Sequence, residues 1–138
     1  MLNKIKVFFF ILMAITSYSY SQDGCLIGKT KQEILEKHPG SDDFRLVSNA
    51  ENYLTYNVTN SDGINAAFYF KDNICTNQMF YIVSKSDYII LTGLFKKAGY
   101  VFDPEQRIWE NKTLTIKESI DNIEKSPFVY MYFYFKCK

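Results

Sequence analysis

The sequence predicts an α+β fold: an antiparallel sheet of about six strands with two helices, in the order helix, three strands, helix, three strands. Three observations carry this. Thr30 and Glu33 stand at capping-box spacing, three strand-like runs separated by tight turns follow, and from Ser86 the apolar residues recur at helical spacing. No alternating strand-helix pattern calls for parallel crossovers, so the sheet is antiparallel and backed by helices on one face.

Taken in order, the first helix begins at Thr30, whose hydroxyl can take one orphan backbone N–H while Glu33 returns to another. It ends near His38, because Pro39 disfavours helical geometry in the residue before it and Gly40 follows. Strands are expected over 53–59, 64–70 and 74–83, with Ser61-Asp62-Gly63 and Lys71-Asp72-Asn73 as tight turns. Ser86 is read as the cap of the second helix, with Tyr88, Leu91 and Phe95 on its apolar stripe and Gly99 stopping it. Residues 107–110 and 113–118 then flank Asn111-Lys112 as a hairpin, and Pro127 precedes a last strand over 128–136.

Residues 1–21 read as an export signal. Lys4 and Lys6 form a basic lead, 7–15 is an uncharged apolar run, and Ser19-Tyr20-Ser21 supplies the small residues a signal peptidase reads. At about nine residues the run is too short to span roughly 30 Å of hydrocarbon. Gln22-Asp23-Gly24 does not give Cys25 the apolar approach that lipid attachment requires. The mature chain is therefore expected to be one domain, 22–138, in the periplasm or medium, with no membrane span. Losing Lys4 and Lys6 leaves 14 basic against 15 acidic residues, so bulk charge gives a nucleic-acid partner no support.

Three cysteines, Cys25, Cys75 and Cys137, imply one disulfide and one free thiol in an oxidising compartment. All three pairings are open. Cys137 shares the strand parity of Val129, Met131, Phe133 and Phe135, which suggests a buried thiol and favours Cys25 with Cys75.

Aromatic residues make up 17% of the chain, 11 Tyr, 12 Phe and 1 Trp. In the last strand, alternation sends Met131, Phe133 and Phe135 to one face and Tyr130, Tyr132 and Tyr134 to the other. The second set is a candidate binding strip, since Tyr offers large apolar area with a hydroxyl that tolerates water. Trp109 joins it as a second candidate anchor.

Catalytic chemistry finds little support. His38 is the single histidine and caps a helix end; Asp42 and Asp43 nearby do not complete a zinc or calcium spacing, so no metal or other cofactor is expected. A Cys-His nucleophile would need a thiol beside His38. No nucleophile elbow or phosphate loop occurs, and Glu105 and Glu110 are ordinary surface carboxylates.

The stretch Cys25-Leu-Ile-Gly-Lys-Thr-Lys-Gln-Glu-Ile34, with Ile74-Cys75, Gly99-Tyr100-Val101 and Trp109, resembles small secreted proteins of Flavobacterium-type bacteria, families largely without assigned function. Gly28 to Ile34 also resembles the opening of the outer-membrane assembly lipoprotein domain, whose helix-plus-sheet module recurs in β-lactamase inhibitor proteins. The resemblance implies a periplasmic protein-binding role and transfers no site residue. The expected function is an exported, non-catalytic module engaging an envelope protein or glycan, an immunity or inhibitor protein among the forms it could take. The alternative is a small envelope enzyme using a cysteine or His38.

Overall fold

A computed structural model describes residues 25–42, 44–58, 63–119 and 129–138. The leader read over 1–21, its cleavage point, the Ser61-Asp62 pair and the start of the last strand at Phe128 lie outside these residues.

Helix α1 (Lys31–Lys37) starts as its sequence dictates. Thr30 Oγ1 accepts the Glu33 N–H at 3.2 Å and Glu33 Oε2 accepts the Thr30 N–H at 2.7 Å. These bonds to Thr30 hold the Glu33 carboxyl below its usual range. Four strands follow: β1 (Phe44–Asn49), β2 (Tyr53–Val58), β3 (Ile64–Lys71) and β4 (Ile74–Ile82). Asp72 and Asn73 take φ of 51° and 65° between β3 and β4, the left-handed pair that a two-residue hairpin requires.

Helix α2 (Lys85–Lys97) is capped by Ser84 rather than Ser86. Ser84 Oγ accepts the Asp87 N–H at 3.2 Å and donates to Asp87 Oδ2 at 2.6 Å. Two serines precede the same apolar stripe, and the acid three residues on selects the earlier one. Gly99, at φ 88°, follows the helix in the left-handed conformation expected of it. The second group of strands is β5 (Val101–Asp103), β6 (Ile108–Glu110), β7 (Leu114–Ser119) and β8 (Met131–Cys137).

All eight strands form one antiparallel sheet in the order β1-β2-β3-β4-β8-β7-β6-β5. The fold class holds, but the sheet has eight strands rather than about six. Both additions are edge strands whose sequences carry weak signals. β1 reads Phe-Arg-Leu-Val-Ser-Asn, with a register shift between Leu46 and Ser48 that interrupts the alternation. β5 is three residues long, between a helix stop and the Asp103-Pro104 turn. Among the described residues the order is therefore helix, four strands, helix, four strands.

One face of the sheet is covered. Ile34 of α1 is fully buried, and the Tyr56 hydroxyl donates to the His38 carbonyl at 2.6 Å, binding the helix end to β2. Phe44 stacks on Tyr56 at 4.4 Å. At the other end, Phe95 of α2 meets Trp109 at 5.5 Å and Phe133 at 5.6 Å. Gly63 permits this packing, because a Cβ there would collide with the Asp87 carboxylate and with Val83. Among the described residues no helix is long and apolar enough to cross a membrane.

The disulfide is Cys25–Cys137, with Cα atoms 5.7 Å apart; Cys75 is the free, buried thiol. This corrects the favoured Cys25–Cys75 pairing. Strand parity correctly sends Cys137 to the covered face, but that is also the face along which Cys25 lies. Meanwhile Cys75 is held beside the incoming segment by its backbone: Gly28 N–H donates to its carbonyl and its own N–H donates to Lys29, each at 2.8 Å.

Candidate functional site

Among the described residues, the face of the sheet opposite the helices is left open and carries a ribbon of tyrosines. Register places Tyr53 opposite Tyr69, Tyr81 opposite Tyr132, and Met79 opposite Tyr134, so these side chains come from β2, β3, β4 and β8. Ring centroids lie 6.4 Å apart for Tyr53 and Tyr69, 6.3 Å for Tyr81 and Tyr132, and 6.0 Å for Tyr132 and Tyr134. The last pair is nearly parallel, at 18°, which keeps one broad side of each ring against its neighbour. Tyr53 and Tyr69 are exposed, Tyr69 by 40%, while Tyr81, Tyr132 and Tyr134 are half-buried. Ala67 sits among them with no accessible surface, so its larger neighbours on that face close over it.

The hydroxyls interact as well as the rings. Burial pushes the Tyr81 and Tyr132 phenols up, and neighbouring phenols add to this: Tyr69 and Tyr132 for Tyr81, Tyr134 and Tyr69 for Tyr132. Asn57 Nδ2 donates to Asn65 Oδ1 at 2.9 Å on the same face, in the row that contains Tyr81 and Tyr132. The arrangement offers rigid aromatic area edged by neutral hydrogen-bonding groups.

The candidate residues divide. Tyr132 and Tyr134 stand together as the alternation predicts. Tyr130 lies one residue before β8; its N–H donates to the Ile82 carbonyl at 2.6 Å, and its phenol adds to the upward push on Tyr88 of α2. It points away from the ribbon. Trp109 is 2% exposed, packed against Phe95 and Phe102, and offers no surface to a partner. The alternation within β6 decides this, since Ile108 and Glu110 face outward and Trp109 between them faces α2. Tyr53, Tyr69 and Tyr81 were missed because no single strand contains them, although each stands at an alternating position of its own strand.

A second polar cluster lies on the covered face. Glu118, 3% exposed, accepts from the Tyr88 hydroxyl and Trp109 Nε1, each at 2.8 Å, and from Arg107 Nη2 at 2.7 Å. The Tyr88 phenol is pushed up to about 12 by burial and then by Glu118. With three donors the carboxylate is satisfied, so this cluster fixes α2 and β6 to β7.

The groups an enzyme would use are in different settings. Cys75 is buried, its Sγ 3.4 Å from the Asn77 carbonyl, and burial pushes its thiol up to about 11. His38 sits at the end of α1 with its ring edge-on to Phe44 at 6.0 Å, and its pKa is lowered by burial and by Lys37. No group of three or more His, Cys, Asp or Glu side chains that could hold a metal ion occurs among the described residues. No family model, curated protein or solved structure matches the chain.

Proposed function

We propose that this protein is an exported, non-catalytic binding module that engages an envelope component through the tyrosine ribbon on its open sheet face. The observation that carries the reading is the contrast in cover: helices pack on one face, and the other keeps five tyrosines from four strands in one band. Tyrosine loses little side-chain freedom on binding and supplies both apolar area and a hydrogen bond, which is why such residues dominate recognition surfaces. The basic-apolar-small pattern at the chain start and the Cys25–Cys137 pair support export. A buried thiol that holds its proton and an imidazole packed on Phe44 support a non-catalytic role.

The test is capture from an envelope fraction by the immobilised mature chain, with Tyr132→Ala and Tyr69→Ala as comparators. Both variants are expected to lose the captured component while keeping the wild-type circular dichroism and thermal midpoint. Undiminished capture by both would place the binding surface elsewhere.

A further inference from the structure

We infer that the outward side of α2 docks on an anionic lipid surface, on the opposite side of the molecule from the tyrosine ribbon; this goes beyond the reading of the ribbon and does not depend on it. A helix packed on a sheet ordinarily turns polar side chains to water. Helix α2 buries Leu91 and Phe95 against the sheet, yet its other side carries Ile89, 63% exposed, and Ile90, 40% exposed. These two lie between Lys85 at one end of the helix and Lys96 and Lys97 at the other, all three lysines exposed, with Gly93 on the same side. The single acid of α2, Asp87, is buried and bonded to Ser84. Glu118, which Tyr88 reaches from this helix, is buried and taken by Arg107. The exposed acid of the neighbouring turn, Glu105, lies at the other end of β5 from Lys96 and Lys97. Among the described residues none of the three lysines forms an ion pair. A near-neutral chain thus presents one helix side with three cations and no exposed carboxylate of its own. Anions are the complementary partner.

The residue types separate a lipid surface from an acidic protein. Protein interfaces are anchored by Trp, Tyr and Arg and are depleted in Lys. The outward side of α2 has none of those anchors and all its charge in Lys. Isoleucine beside lysine is instead the pairing of an interfacial helix: aliphatic groups enter the boundary between head groups and acyl chains, while the long lysine stems let the ammonium groups stay at the phosphates. Among the described residues no helix is long and apolar enough to cross a membrane, so the contact is peripheral. Because α2 packs on the covered face, docking through it leaves Tyr69, Tyr81 and Tyr132 directed away from the lipid.

The experiment is co-sedimentation of the mature protein with vesicles of phosphatidylcholine alone and with vesicles holding an equal share of phosphatidylglycerol, poly-glutamate serving as the acidic polypeptide. The inference expects binding to the anionic vesicles, little to the neutral ones, and weakening as salt is added. Ile89→Ser/Ile90→Ser should lower the partition coefficient roughly tenfold or more, and Lys96→Gln/Lys97→Gln by roughly fivefold for each lysine, both with an unchanged thermal midpoint. Gly93→Leu separates a fluid partner from a shaped one. A Cβ at Gly93 meets nothing within 4 Å, so the fold accepts the larger residue, and its added apolar surface should strengthen vesicle binding, where a partner fitted to the helix would be pushed off. Tyr132→Ala should leave vesicle binding as it is. Binding to neither vesicle, equal binding to both, indifference to the isoleucine variant, or weaker binding of Gly93→Leu would each overturn the inference. Binding to poly-glutamate as tight as to the anionic vesicles would make the partner an acidic protein and overturn it too, and loss of vesicle binding in Tyr132→Ala would move the lipid contact to the open face. If vesicle binding fails while envelope capture still depends on Tyr132, the ribbon reading stands and this one falls.

Discussion

The two faces of the sheet use similar residues to opposite ends. On the covered face, aromatic rings are locked between helix and sheet: Phe133, fully buried, lies between Phe95 and Tyr88 of α2. On the open face, Tyr132, its sequence neighbour, leans on Tyr81 and Tyr134 and keeps part of its surface in water. On one face the rings are packed between helix and sheet, and on the other they keep contact with water. The difference teaches that a high aromatic content need not be core; among the described residues it is divided by strand parity, Phe and Trp inward and most of the Tyr outward.

The strongest way to challenge that division is to cut the covered side's covalent closure. Cys25 and Cys137 are 112 residues apart, and closing such a loop stabilises a chain by about 5 kcal/mol in the entropic treatment. Cys25→Ser/Cys137→Ser should therefore lower the free energy of unfolding by an amount of that order, read as a drop in the urea midpoint. Cys75→Ser should leave the disulfide intact, and peptide mapping after alkylation should still find Cys25 joined to Cys137.

Phe133→Ala comes next. Removing a fully buried ring that packs against Phe95 and Tyr88 should cost roughly 3 to 5 kcal/mol, while Tyr132→Ala, one residue away, should cost less than about 1 kcal/mol. Chemical denaturation of the pair measures the contrast directly. Equal losses would mean that both faces are core.

Glu118→Ala is a smaller test of the same face by polar rather than apolar means. It leaves the Trp109 N–H and the Tyr88 hydroxyl without their acceptor and Arg107 without its carboxylate. One buried donor left unsatisfied costs about 1 to 3 kcal/mol, and Arg107, 45% exposed, can turn to water, so a loss of about 3 kcal/mol is expected. Indole fluorescence should report it, because Trp109 is the single tryptophan.

Much of this division was legible in the sequence, and the losses have physical causes. The capping box at Thr30, the Asp72-Asn73 turn, the Gly99 stop and the parity of Met131, Phe133 and Phe135 follow from local chemistry, and local chemistry is what a sequence displays. β1 and β5 were hidden because an edge strand is held by one neighbour, so a register irregularity or three residues suffice and no clear alternation develops. The disulfide was misassigned because parity says which face a cysteine occupies but not which distant segment lies there. Within the candidate site, Tyr132 and Tyr134 were visible on one strand, whereas Tyr69 and Tyr81 join them only through the pairing of β3, β4 and β8, a long-range register that no single run encodes.

The smallest effect concerns pH and separates the two faces by their titrating groups. His38, packed against Phe44 on the covered side, has its pKa lowered from the ordinary 6.5, chiefly by burial and further by Lys37. As pH falls, the exposed imidazole of the unfolded chain takes up its proton before the folded one does. Stability from this group is therefore complete above about 6.5 and declines as pH falls from there toward the lower folded value. The tyrosines give the opposite limb: Tyr56, Tyr88 and Tyr100 on the covered side are pushed up to about 12 by burial, so their contribution is complete below about 10 and is lost as pH rises from 10 towards 12. On the open face Tyr81 and Tyr132 are raised too, yet both keep part of their surface in water, so removing either should barely move the alkaline limb. Urea midpoints across both pH ranges test this, with His38→Gln expected to flatten the acid limb alone and Tyr132→Phe to leave both unchanged. An alkaline limb that shifts with Tyr132→Phe would show that the open face contributes to stability after all.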